Sequence, residues 1–154
     1  MNNTPLLIYN PVANQGGAQK SFQKVQDLFK VYDFNYDLIL TEYPGHALDI
    51  AKQEAESGRE LIIAAGGDGT MNEVINGLMR ADIKDNKRPK MGVLPVGRGN
   101  DFSFGMDLPS EIEKNIRAVT EGKTRKIDIG IVTGGDYPEG RYFGNGIGLG
   151  FDAV

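Results

Sequence analysis

The run Leu61-Ile62-Ile63-Ala64-Ala65-Gly66-Gly67-Asp68-Gly69-Thr70 places a carboxylate inside a glycine turn at the end of an apolar segment. Gly66, Gly67 and Gly69 let the main chain bend sharply and bring N–H groups against phosphate oxygens. A helix starting at Thr70 would add its free N–H donors and the positive end of its dipole. Asp68 cannot ligate a phosphate itself, because like charges repel. Its chemistry would be to sit beside Mg²⁺ or to accept the proton of a reacting hydroxyl. The same residues also fit a plain strand-to-helix turn in which Asp68 caps the helix. No Lys-Ser/Thr pair follows, as a P-loop requires, and the GxGxxG dinucleotide fingerprint is missing.

Two more loops follow short apolar runs in the same way. Leu6–Tyr9 leads into Asn10-Pro11 and a loop to Gly17, and Met91–Pro95 leads into Val96–Phe102, which contains Gly97-Arg98-Gly99-Asn100-Asp101. Between these runs the apolar spacing is helical: Phe22, Val25, Leu28, Phe29 and Tyr32 within 18–32; Ala47, Ile50, Ala51 and Ala55 within 46–57; Met71, Val74, Ile75, Leu78 and Met79 within 70–80. A further helix is predicted from Pro109-Ser110 to Thr120, and a strand over Phe34–Leu40. Alternating strands and helices with continuously apolar strands predict a parallel α/β sheet covered on both faces. Ligands of such sheets bind at the carboxyl ends of the strands, where all three loops sit.

From Lys126 to Val132 the period changes to two. A Gly134–Pro138 turn and a second strand over Arg141–Gly148 follow, and 150–154 still reads as strand. Residues 1–122 therefore read as one α/β domain. Residues 123–154 read as the opening strands of a β-rich domain that the chain leaves incomplete, since a lone hairpin buries no core of its own.

Composition narrows the chemistry. The chain has 154 residues, 17 basic against 21 acidic, for a net charge of −4. A pI near 5.0 gives no footprint for nucleic acid. Without Cys there is no thiolate site, and a single His argues against a His metal site or a Ser-His-Asp triad. No run reaches the roughly 20 apolar residues of a membrane span, and the N-terminus lacks a signal peptide's pattern. The expectation is a soluble cytoplasmic protein.

Taken together, the motifs resemble the catalytic domain of the diacylglycerol kinase and sphingosine kinase family of lipid kinases. The resemblance rests on Ile8-Tyr9-Asn10-Pro11 with Gly16-Gly17, Thr41 with Gly45-His46-Ala47, Gly66 to Val74, and Gly92-Val93-Leu94-Pro95 with Gly97 to Phe102. Arg125–Gly130 and Arg141–Asp152 are similar to the first strands of that family's β-rich domain. The resemblance implies a kinase that uses ATP and Mg²⁺ to phosphorylate a diacylglycerol-like lipid hydroxyl at a membrane surface. It implies nucleotide contacts from Asn10, Pro11, Thr41, Gly66, Gly67, Gly69, Thr70, Asn72, Glu73 and Arg98, a catalytic role for Asp68, and an acceptor cleft at Asn100 and Asp101. Asp128 matches the family's D-x-G strand.

Arg98 stands where the family commonly has Thr; Arg could still pair with a phosphate. The family's catalytic base and magnesium carboxylates lie in the C-terminal domain, so the metal ligands are not assigned, and the 154 residues alone are expected to turn over poorly. An NAD kinase-like phosphotransferase shares the Gly-Gly-Asp-Gly-Thr element. A non-catalytic nucleotide-binding module is the reading from another class, and an open β edge fits homo-oligomer pairing. Among weaker features, His46 reads as a capping or surface residue. Lys84, Lys87, Arg88 and Lys90 read as a solvated loop or a contact to an anionic membrane. Phe102, Phe104 and Met106 read as loop packing or an acyl-chain cleft.

Overall fold

The computed structural model describes residues 3–83 and 88–146. Four parallel strands, β1 (Leu6–Tyr9), β2 (Asp37–Leu40), β3 (Leu61–Gly66) and β4 (Lys90–Pro95), form one sheet in the order β2-β1-β3-β4. The helices are α1 (Gly17–Val31), α2 (His46–Glu56), α3 (Asp68–Arg80), α4 (Asp101–Gly105) and α5 (Ile112–Thr120), and a single 3-10 turn covers Asn14–Gly16. An antiparallel pair, β5 (Gly130–Gly134) with β6 (Tyr137–Phe143), forms a second small sheet.

Side chains alternate across each strand, and in the central strands β1 and β3 both sets are buried. Leu6, Ile8, Ile62 and Ala64 pack with Ala51, Val74 and Ile75 of α2 and α3. Leu7, Tyr9, Ile63, Ala65 and Leu94 pack on the opposite face with Val25 and Phe29 of α1 and Ile116 of α5. The first layer is close-packed because it lacks side chains at one crossing. A Cβ on Gly77 of α3 would fall 2.4 Å from the Leu48 carbonyl oxygen of α2.

The strand order fixes where a ligand can enter. From β1 the chain leaves through α1 on one face; from β3, its sheet neighbour, it leaves through α3 on the other. The loops after β1 and β3 therefore diverge and leave a crevice between them, the topological switch point of an open α/β sheet.

Several boundaries differ from the sequence expectation. Phe34 and Tyr36 precede β2 rather than belonging to it, because their rings fold onto Phe29 at centroid distances of 5.3 and 4.7 Å. Part of the Val96–Phe102 loop is helical from Asp101. Helix α3 begins at Asp68, not Thr70, and α5 at Ile112, not Pro109. Strand β5 begins at Gly130, not Lys126, because its ladder ends at the Gly130–Phe143 pair, leaving Asp128 exposed outside it. The Phe143 ring occupies the space of a Gly130 side chain, 2.3 Å from a built Cβ. Strand β6 starts at Tyr137, so Pro138 lies in the strand instead of the turn. It ends at Phe143, short of the predicted Gly148, because the chain bends at Gly144 and Asn145; 147–154, including the strand-like 150–154, lie outside the described residues.

Candidate functional site

The turn after β3 works because its glycines make room for other atoms. A Cβ on Gly66 would lie 2.3 Å from Thr70 Oγ1. Thr70 is buried, and its hydroxyl accepts from Asn10 Nδ2 at 2.9 Å, tying the turn to the loop after β1. Asn10 Oδ1 in turn accepts the Val12 N–H at 3.1 Å. The third loop is held by the Gly66 carbonyl, which accepts from Val96 and Gly97 at 3.1 and 3.0 Å. Gly97 presses against Gly67 so closely that a Cβ would fall 2.2 Å from the Gly67 Cα. Three sequence-distant loops are thus locked edge to edge, one pair by the Asn10–Thr70 side-chain bond and the other by backbone contact.

They enclose a cleft of about 470 Å³. Asn10, Thr41, Gly67, Asp68, Gly69, Thr70, Glu73 and Arg98 all line it. Arg98 is exposed, with no carboxylate partner among the described residues. Pro11 and Gly66 do not line the cleft: Gly66 lies beneath the turn as acceptor and spacer. Glu73 faces the cleft with both oxygens engaged, Oε1 with the Gly45 N–H at 2.9 Å and Oε2 with the Ala47 N–H at 3.2 Å. It caps α2, whose N-cap Gly45 is left-handed at φ 92°. His46 stacks on Tyr43 at 4.4 Å, and its Nδ1 accepts the Glu42 N–H at 3.1 Å. Its role is to hold the Glu42–Tyr43 wall.

Asp68 does not cap its own helix, because Gly67 is the N-cap and makes no side-chain bond. Its Oδ1 instead accepts the Phe102 N–H at 2.8 Å, in the first turn of α4. A Cβ on Gly99 would approach Oδ2 to 3.2 Å, so the glycine keeps that oxygen accessible. Asn100 sits left-handed at φ 59° with Nδ2 donating to the Gly97 carbonyl at 3.0 Å. Its Oδ1 is buried and accepts nothing from the protein among the described residues. Asp101 heads α4, exposed, outside the cleft.

Asn72 is not brought into this cleft. It points from α3 to the second sheet, where Oδ1 accepts from Arg141 Nε and Nη2 at 3.0 and 2.7 Å. Its Nδ2 donates to the Tyr142 carbonyl at 3.0 Å. One turn on, Asn76 accepts the Tyr142 N–H at 3.0 Å and donates to the Tyr142 carbonyl at 2.9 Å, as a neighbouring strand would. Arg80 adds a bond to the Gly140 carbonyl at 2.8 Å. This polar stripe binds the open edge of β6. Beside it, a smaller cavity of about 250 Å³ is lined by Asp68, Gly69, Asn72, Phe102 and Arg141 among others. Asp68 and Gly69 thus border both cavities.

Arg141 and Tyr43 could not be singled out as wall residues from the sequence, since neither lies in the loops after β1, β3 and β4. Phe102 is buried, and with Met106 it lines an apolar cavity of about 320 Å³ against β4 and α5, whereas Phe104 is 86% exposed. Arg88 is committed to the Leu78 and Ala81 carbonyls at the end of α3, where a cation complements the helix C-terminus. Lys84 and Lys87 lie outside the described residues.

Comparison with known proteins agrees with this arrangement. Residues 4–132 match the diacylglycerol kinase catalytic domain. A diacylglycerol kinase of Bacillus subtilis (strain 168) is 41% identical over 129 residues, 83% of this chain and 41% of that protein. One from Staphylococcus epidermidis is 40% identical over 128 residues, 80% of this chain and 38% of the relative. A crystal structure of a diacylglycerol kinase from Bacillus anthracis str. Sterne superposes with a TM-score of 0.70 at 31% identity, over 82% of this chain and 45% of that one. The chain spans about two fifths of the length of the curated relatives it matches. The matched region contains all three cleft loops, and by it the chain belongs to the diacylglycerol kinase catalytic-domain family.

Proposed function

We propose that this chain carries the nucleotide half-site of a lipid kinase that transfers the γ-phosphoryl group of ATP to a diacylglycerol-like hydroxyl. The observation that supports it most is the position of Asp68, on a glycine turn bordering two cavities, in a chain of the diacylglycerol kinase family. Asn10, Thr41, Gly67, Gly69 and Thr70 would hold the nucleotide, the glycine-turn N–H groups facing its phosphates. Arg98, exposed at the rim, would add a charge-assisted contact to an outer phosphate oxygen.

In the transfer, the acceptor O–H proton passes to a carboxylate base. The acceptor oxygen forms its bond to phosphorus as the bond from phosphorus to the bridging oxygen breaks, leaving ADP. Such reactions are accelerated chiefly by positioning and charge neutralisation. Magnesium bound with ATP would supply part of that neutralisation. Among the described residues there is no cluster of three metal-ligating side chains. Asp68, with Oδ2 uncommitted to a hydrogen bond, suits the usual magnesium pattern of one or two carboxylates plus phosphates and waters.

No helix among the described residues is long and apolar enough to cross a membrane. The lipid would then be met at the bilayer surface, in transient peripheral contact from the cytoplasm. The test offers the protein, as its cells make it, radiolabelled Mg-ATP with diacylglycerol, sphingosine, phosphatidylglycerol and NAD. Label in a lipid is expected. Label in NAD alone, or nucleotide binding without transfer to any acceptor, would overturn the reading.

A further inference from the structure

The second cavity contains a cation that the nucleotide cleft does not use. Arg141 projects from β6 with Nε and Nη2 both on Asn72 Oδ1, and its guanidinium lies 5.2 Å from the Tyr137 ring centroid. No carboxylate pairs with it among the described residues, and Nη1 has no protein acceptor there. Arginine held by a neutral amide keeps its full charge and loses little further freedom when it meets an anion. This one lines the same cavity as Asp68 and Gly69 and does not line the nucleotide cleft.

We infer that Arg141 is a catalytic residue of the acceptor side, binding the phosphoryl group as it arrives on the acceptor and the phosphomonoester it becomes. Transfer past Asp68 moves two to three negative oxygens into a space already bordered by one carboxylate. A fixed cation there offsets that charge as it develops. Asn72 is then a positioning residue. Its Oδ1 orients the guanidinium, and its Nδ2 anchors β6 through the Tyr142 carbonyl. The inference rests on the kinase reading for the acceptor, but the anion site itself can be measured without turnover.

The test compares Arg141→Lys and Arg141→Gln in the protein as its cells make it. Gln can still donate to Asn72 but has no charge; Lys keeps the charge and loses the fork. Two readouts are needed: turnover, and binding of a water-soluble short-chain phosphatidate and of inorganic phosphate by calorimetry. Arg141→Gln is expected to lower kcat on the order of 100-fold with KM for ATP little changed. It should weaken phosphatidate binding about tenfold, and Lys should retain most of both. Inorganic phosphate losing affinity in parallel would identify the phosphate group as the ligand; phosphatidate alone responding would add its glycerol or acyl part. Equal losses in Lys and Gln, unchanged binding in Gln, or no phosphomonoester binding by the unaltered protein would each overturn the inference. A protein that binds phosphomonoesters through Arg141 yet phosphorylates no lipid would leave the anion site standing and remove the lipid kinase reading.

Discussion

The Asp68 carboxylate, at the first residue of α3, accepts the Phe102 backbone N–H of α4 at 2.8 Å. One oxygen is thereby spent on joining two loops while the other stays available for chemistry. Asp68→Asn keeps a carbonyl oxygen for the Phe102 N–H and removes only the charge. Its thermal midpoint should match the unaltered protein while phosphoryl transfer falls at least about 100-fold. Asp68→Ala should lose the transfer and also about 1 kcal/mol of stability, the usual value of a capping side chain. Thermal unfolding beside a transfer assay separates the two effects. Equal destabilisation by Asn and Ala would mean the bond is not what holds α4.

Gly97 admits no side chain, since its Cβ would meet Gly67 Cα at 2.2 Å and Gly67 N at 2.8 Å. Backbone cannot turn aside as a flexible side chain can. Gly97→Ala should therefore separate the two loops and cost about 2–3 kcal/mol, in the range of overpacked interiors. Denaturant unfolding would report the stability, and a fluorescent nucleotide analogue the weakened cleft. Gly69→Ala, where a Cβ meets nothing within 4 Å, is the control, expected within about 1 kcal/mol of the unaltered protein.

Asn76 satisfies both backbone groups of Tyr142 and is itself buried. Asn76→Ala leaves that N–H without a partner on the α3 side and the carbonyl with Asn72 Nδ2 alone. The expected cost is about 1–3 kcal/mol, with faster amide exchange confined to Tyr142 and its neighbours on β6. Unchanged exchange at Tyr142 would mean that the β6 edge is held by Asn72 and Arg80 alone.

Burial of Tyr9, whose hydroxyl donates to the Ala18 carbonyl at 2.7 Å, pushes its pKa up to about 12 from 10.0. The neutral phenol is favoured by the folded state, so the group's contribution to stability is complete below pH 10. It is lost as pH rises from about 10 through about 12, where the unfolded chain ionises first. Unfolding midpoints measured between pH 8 and 12 should fall over that window, and Tyr9→Phe should flatten the decline. A decline of the same size in Tyr9→Phe would assign it to other groups.

Much was legible in the chain order. The apolar runs at 61–65 and 91–95, the helical spacing of α1 to α3 and the loops at strand ends follow from local periodicity, which a one-dimensional string carries in full. The glycine turn and its two companion loops were recognisable as one site because three loops at strand ends must open on the same edge of a parallel sheet. Family membership was legible too, through the order and spacing of those motifs.

The functions of individual side chains were settled by contacts between residues far apart in sequence. Glu73 and Asn72 are adjacent in the chain, yet one caps α2 and the other binds β6, because successive helical residues point about 100° apart. Arg141 looked like an ordinary strand residue until β6 was laid along α3, 69 positions from Asn72. Asp68 capping α4 instead of its own helix is of the same kind. By itself the sequence determined the elements, the crevice and the family, since these depend on spacing along the chain. Which oxygen is spent on architecture and which cation is left unpaired depended on the meeting of distant surfaces, and only the tertiary structure decided that.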